Sequence, residues 1–415
     1  MNRDRFYFLL LNIGHFLDHL FMLIFATVAA LALHREWGVG YAELLAYATP
    51  GFFAFGLFAL PAGWLADKWS RDGMMSVFFI GIGIASILTS FASSPLQISI
   101  GLFAIGVLGA IYHPVGLAIV TMKWRNTGMR LAMNGVWGNL GVASAALITG
   151  YMIDRGDWRL AFILPGILSI AIGFGYMMLR WESIGAEHRS AKDHAKAETP
   201  SLTPSHRSLL IRVSSIVFLT TAVSSIIFQS TTFALPKMFD ERLQGLATQL
   251  SNWMNSQALF EGNDVATVVG GLAFFVFAVA SIAQLIVGSL LDRFGPKKVF
   301  MTVALIQLVF FALMPGLTDI IAFAVALGFM LGAFGQIPIN DFMIGKMASG
   351  PARARIYGIR YVVSFTVLAA TLPLIAFVHS GWGFDRLFII LACAAAVILL
   401  AVSTLPTRLP TAEAS

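Results

Sequence analysis

Twelve long apolar runs, arranged as six and six, dominate this chain. The first six cover roughly 6–33, 44–66, 74–93, 97–122, 131–153 and 160–180. The second six cover roughly 209–235, 265–291, 299–317, 319–345, 357–379 and 386–405. About 20 apolar residues in a helix cross the hydrocarbon core of a bilayer. Lipid offers the backbone no hydrogen-bond partners, so each crossing must be a helix or belong to a closed barrel. Barrel strands are short and alternate in polarity, and these runs do neither. Hydrophobic residues make up 58% of the chain and charged residues 12%, against about 25% charge in soluble domains. The expectation is an all-α membrane protein with twelve transmembrane helices in two pseudo-symmetric six-helix bundles, residues 1–180 and 209–415. The polar stretch 181–208 between them reads as a linker.

The basic residues test the count. With the N-terminus, the linker and the C-terminus on one side, that side receives 21 of the 27 Lys and Arg residues and the other side six. Positive charge stays in the cytoplasm, so both termini and the linker are expected there, in an inner membrane. The net charge of +6 follows this topology and needs no acidic partner; nucleic acid binding is not expected. The run 6–33 is too long for a signal-peptide core and is expected to remain as an anchor. Cys393 is the only cysteine, which excludes an intramolecular disulfide and a two-thiolate metal site. The outer loop Pro236–Asp264 carries Leu246, Leu250, Trp253 and Met254, spaced like one face of a short helix lying on the bilayer.

One pattern occurs twice, 225 residues apart. The first copy runs Gly63-Trp64-Leu65-Ala66-Asp67-Lys68-Trp69-Ser70-Arg71-Asp72-Gly73. The second runs Gly288-Ser289-Leu290-Leu291-Asp292-Arg293-Phe294-Gly295-Pro296-Lys297-Lys298. Both sit between spans, 2 and 3 in one half and 8 and 9 in the other. A chain that repeats itself at half-length inside a membrane is built like a secondary transporter. Glycine lets helices approach closely, and an aspartate at a helix end caps a neighbour or pairs with arginine. Gly63, Asp67, Lys68, Arg71, Gly288, Asp292 and Arg293 are therefore expected to form a conformational latch.

This doubled loop resembles the signature loop of the major facilitator superfamily. A narrower resemblance is to the fosmidomycin-resistance group, carried by Gly14-His15-Phe16-Leu17-Asp18, Tyr112-His113-Pro114 and Gly138-Asn139-Leu140-Gly141. In that group Glu stands at the place of Val115, and proton-exchanging exporters carry Gly-Pro where this chain has Ala145-Ala146. The resemblance implies alternating access, a cavity lined by spans 1, 4, 7 and 10, and proton-coupled efflux of a small molecule. Import of a small organic acid or other nutrient, also proton-coupled, is the alternative. A solute sensor without transport is a third class, and it would need a long soluble signalling tail.

Ionisable groups inside a bilayer cost several kcal/mol, roughly, so each needs a reason. In span 1, His15, Asp18, His19 and Met22 fall at i, i+3, i+4 and i+7, one stripe on one helical face. Three readings stand for it: a proton site, since histidine titrates near neutral pH; a structural polar network; or a transition-metal site, since His at i and i+4 can hold one ion. Tyr112 and His113 in span 4, Asn139 in span 5, Gln229 in span 7, and Gln336, Asn340 and Asp341 in span 10 join the proposed pathway. Arg360 in span 11 either pairs with Asp341 or points into the cavity, where it would favour an anion. Pro114 and Pro338 interrupt spans 4 and 10 in matching places, each after a Leu-Gly-Ala. There is no Gly-x-x-x-x-Gly-Lys-Ser/Thr loop, so ATP-driven transport is not expected. Neither enzymatic activity nor a cofactor or resident metal is expected. The partners are a small-molecule substrate, protons and lipid, and a monomer is expected.

Overall fold

A computed structural model describes residues 3–124, 127–190, 204–257, 264–347 and 350–406. No strand occurs among them. Span 1 is α1 (Arg3–Val28), continued through a π-helical turn at Ala29–Leu33 into α2 (His34–Glu36). Spans 2 and 3 are α3 (Tyr41–Lys68) and α4 (Arg71–Thr89). Span 4 is two helices, α5 (Pro95–Gly109) and α6 (Tyr112–Lys123), and spans 5 and 6 are α7 (Thr127–Asp154) and α8 (Leu160–Ser190). Span 7 is α9 (Pro204–Arg242), followed by the short α10 (Gln244–Ser256). Spans 8 and 9 are α11 (Val265–Phe294) and α12 (Pro296–Leu313), and span 10 is again two helices, α13 (Asp319–Gly335) and α14 (Ile337–Met347). α15 (Gly350–Ser403) holds spans 11 and 12, which meet at Gly383, where φ is 71°. Eleven helical stretches are long and apolar enough to cross a membrane; the last of them, Thr366–Ser403, contains this bend, which brings the count to twelve.

The helix ends show why the chain turns where it does. Ser70 opens α4 by accepting a hydrogen bond from the Gly73 amide at 3.0 Å. Ser94 does the same for Gln97, with Pro95 in the first turn. α12 opens differently, with Gly295 at φ 76° followed by Pro296. The two copies of the repeated loop therefore start their next helix by different devices. Ser70, which departs from the glycine pattern, supplies a side-chain cap instead of a left-handed turn.

The helices gather into two compact units. The first comprises Met1–His194 and Phe233–Ala278, the second Ala195–Thr232 and Val279–Ser415. In the first, α4 packs along α8, and Ser86 and Ser169 donate across them to the carbonyls of Phe162 and Phe79, both at 2.7 Å. Such bonds tie helices where lipid removes the hydrophobic drive for association. Phe91, Met178 and Trp181 are exposed large apolar groups of this unit, and they suit a lipid-facing surface. In the second, Lys297 and Arg212 donate to the carbonyls of Leu405 and Thr404 at the end of α15, where basic groups suit the helix C-terminus.

One boundary and one helix face differ from expectation. α9 runs to Arg242 with Pro236 inside it, so the outer loop begins later than residue 236. The added turn puts Lys237 within 2.8 Å of Asp240 and 3.7 Å of Glu241, i+3 and i+4 neighbours on one face. The short helix expected beyond it exists, but its buried line is Ala247 and Ser251, and Trp253 is exposed. Residues 258–263 of this loop and 191–203 of the linker lie outside the described residues.

Candidate functional site

Span 4 is broken at Ala110–Ile111 and span 10 at Gln336, each just before its proline. A proline cannot donate to the previous turn, so the helix restarts around it. The matching breaks place His113 in the first turn of α6 and Gln336 at the junction of α13 and α14.

The span 1 stripe faces this break. His15 Nδ1 lies 2.8 Å from the Asn134 carbonyl oxygen. A carbonyl only accepts, so Nδ1 carries the proton and Nε2 keeps its lone pair. His19 Nε2 stands 3.1 Å from that lone pair. His113 Nε2 stands 3.4 Å from Asp18 Oδ2. Asp18 is fully buried, and neither of its oxygens accepts a hydrogen bond. His19 and His113 are partly exposed, His113 with 17% of its side chain. The three imidazoles each offer a nitrogen within 4.8 Å of the others.

The surroundings hold these groups in place. The Tyr112 ring stacks on His15 with centroids 4.8 Å apart. Its hydroxyl donates to the Leu11 carbonyl at 2.8 Å. Asn134 donates to Tyr112 and to Asn12 Oδ1, both at 2.9 Å. A side chain at Gly138 would meet His15 Nε2 at 2.7 Å, and one at Gly109 would meet Asp18 Oδ1 at 3.1 Å. Both glycines are therefore space for the cluster. Asn12 and Asn134 escape a reading of the sequence, and Gly109 enters it only within the Leu-Gly-Ala run before Pro114. Gly138 enters it only as one member of the Gly138–Gly141 run, while its neighbour Asn139 stands out because it is polar. Asn139 is buried, and no hydrogen bond joins it to His15 among the described residues.

In the second unit, Gln336 Nε2 donates to the Ser224 carbonyl at 3.1 Å, while its Oε1 is buried without a partner. Asn340 Oδ1 accepts from Thr220 at 3.2 Å. Gln229 is half-buried on α9. The side chains of Asp341 and Arg360 lie outside the described residues.

The repeated loop is asymmetric in its contacts. Asp67 pairs with Arg71 at 2.6 Å on the surface, and Lys68 covers the Trp64 ring at 4.3 Å. A Cβ added at Gly63 would stand 3.3 Å from Pro114, whereas one added at Gly288 would meet nothing within 4 Å. Asp292 and Arg293 are exposed. Asp72, in a place where the pattern leads one to expect a basic residue, is almost fully buried. It accepts hydrogen bonds from Tyr7 and Tyr176 at 2.6 Å each and pairs with Arg180 at 2.6 Å. It ties spans 1, 3 and 6 together.

The profile of the Major Facilitator Superfamily matches residues 11–260 and 245–415. The chain belongs to the major facilitator superfamily. It is 27% identical to a probable actinorhodin transporter of Streptomyces coelicolor over 37% of this chain and 28% of that one, so the match spans under a third of that relative. It is 26% identical to the multidrug resistance protein MdtG of Klebsiella pneumoniae over 88% of this chain and 83% of the relative. The crystal structure of a D-xylose–proton symporter superposes with a TM-score of 0.69 at 14% identity, covering 97% of this chain and 98% of that one. That likeness concerns the fold. Membership makes the chain an integral, multi-pass membrane protein of a transporter family.

Proposed function

We propose that this carrier exports a small molecule in exchange for protons, with Asp18, His113, His19 and His15 as the proton-handling group. Asp18 carries the reading. A carboxylate sealed inside a membrane span, with an imidazole at 3.4 Å as its ion-pair partner, is unfavourable as a bare charge. It is neutralised either by its own proton or by a proton on His113. From either arrangement the proton can leave to water in one access state and be taken up again in the other, as exchange requires. His19 and His113, both less buried than Asp18, are proposed as its path.

Tyr112, Asn139, Gln229, Gln336, Asn340, Asp341 and Arg360 are proposed to line the substrate path. Gly63, Asp67, Lys68, Arg71, Gly288, Asp292 and Arg293 are proposed as the latch on the cytoplasmic side, with both termini on that side. Export is supported by the relative named for multidrug resistance, which matches along most of both chains. It is also in keeping with the likeness of Gly14–Asp18, Tyr112–Pro114 and Gly138–Gly141 to the fosmidomycin-resistance group.

Proteoliposomes with an imposed pH gradient test this. Loaded with acid buffer and offered a panel of aromatic drugs and small organic acids, they should accumulate substrate only while the lumen is acidic. Accumulation driven by an acidic exterior would instead establish proton symport, the signature of an importer.

A further inference from the structure

The cluster also has the donor set and spacing of a metal centre. The Asn134 carbonyl fixes the His15 proton on Nδ1 and turns the Nε2 lone pair toward His19 Nε2, 3.1 Å away. Two nitrogens bound to one tetrahedral ion at about 2.0–2.1 Å stand about 3.3 Å apart. The separation of these two is close to that edge. His113 brings a third nitrogen within 4.8 Å of both, and a shift of its side chain of up to about 1.5 Å would close the set to tetrahedral spacing. Asp18, fully buried and without a hydrogen bond on either oxygen, supplies the negative charge that a cation requires inside a membrane.

The outer contacts suit ligation. Metal-binding histidines characteristically give their second ring proton to a carbonyl or carboxylate, which fixes the tautomer. His15 does this with Asn134, and Tyr112 stacks on its face and is itself tied to Leu11. Gly138 leaves the Nε2 edge uncovered. Three imidazoles with one carboxylate fit divalent first-row transition metals; magnesium and calcium ask for oxygen ligands, and copper(I) for sulfur.

We propose that His15, His19 and His113 bind one divalent transition-metal cation of the zinc and copper(II) class, with Asp18 as the balancing charge beside His113. On binding, the ion takes the place between His15 Nε2 and His19 Nε2, and the His19 proton moves to its own Nδ1, so no redox partner or leaving group is needed. The inference goes beyond proton-coupled export and does not depend on it, because binding is measured on the resting protein without a gradient.

The full-length chain, purified in detergent and stripped with a chelator, is titrated with Co²⁺ and with Zn²⁺. The expected result is one ion per chain, with the intense visible absorption of four-coordinate Co²⁺ that Zn²⁺ then removes. His15→Ala and His19→Ala should each weaken Zn²⁺ binding at least ~10-fold, the scale seen when metal-site residues are disturbed. His379→Ala, far along the chain in α15, should leave it unchanged. The wild-type spectrum needs no variant, so misfolding of a variant cannot mask the answer. Absence of the Co²⁺ band and of Zn²⁺ heat in folded wild-type protein overturns the proposal. So does unchanged binding in folded His15→Ala and His19→Ala.

Discussion

Asp18 Oδ2 stands 3.4 Å from His113 Nε2 where span 4 is interrupted. One group comes from an unbroken helix, the other from the first turn of a restarted one. The break is what brings them together: Pro114 forces α6 to begin anew, Gly109 leaves the space that Asp18 Oδ1 fills, and the first turn of α6 presents His113. A helix start also carries partial positive charge, which favours the carboxylate beside it.

Tyr112→Phe removes the hydroxyl that donates to Leu11 and accepts from Asn134. The Asn134 amide then loses one of its two partners in a dry environment. The expected loss is roughly 1 kcal/mol, read as a lower thermal midpoint in detergent. An unchanged midpoint would show that the Asn12–Asn134–Tyr112 chain holds nothing together.

Asp72 and Asp67 lie in the same loop and should behave in opposite ways. Asp72→Ala leaves the Arg180 guanidinium and two tyrosine hydroxyls without their acceptor, a loss on the order of 3–5 kcal/mol for a buried pair. Asp67→Ala breaks a surface pair with Arg71, worth about 0–1 kcal/mol. Thermal unfolding of the two variants should separate them clearly, and equal losses would contradict the assignment of Asp72 as the anchor.

The latch copies are likewise unequal. Asp67→Asn frees Arg71 from a 2.6 Å pair, whereas Asp292 lies on an exposed stretch before the Gly295 turn. Transport rates of Asp67→Asn and Asp292→Asn, measured in the same proteoliposomes, should differ. Matching rates would mean the two loops act as equivalents despite their different geometry.

Gly138→Ala inserts a methyl group 2.7 Å from His15 Nε2. The ring must turn away from His19, and gradient-driven transport should fall at least ~10-fold, equivalent to about 1.4 kcal/mol. Gly135→Ala, one turn earlier on α7 with nothing within 4 Å of its added carbon, should transport normally. Equal activity of the two variants would remove His15 placement from the mechanism.

Much of this was legible in the sequence. Hydropathy revealed the twelve spans because lipid leaves the backbone no alternative to a helix. The matching prolines foretold the breaks in spans 4 and 10, and the i, i+3, i+4 spacing foretold that His15, Asp18 and His19 share a face. What stayed hidden depends on partners far along the chain. Asp72 looked like a defect in a basic loop because its partner, Arg180, is 108 residues away. Asn134 belongs to no motif, and only the fold shows its carbonyl setting the His15 tautomer. Gly109 and Gly138 matter for the atoms they lack, which no residue type announces.

The most direct test follows protons rather than substrate. Proteoliposomes carrying a pH-sensitive dye in an acidic lumen are offered a transported substrate. Wild-type protein should release protons from the lumen as substrate enters, while Asp18→Asn should exchange substrate for substrate yet release none. Proton release by Asp18→Asn at the wild-type rate would contradict the account.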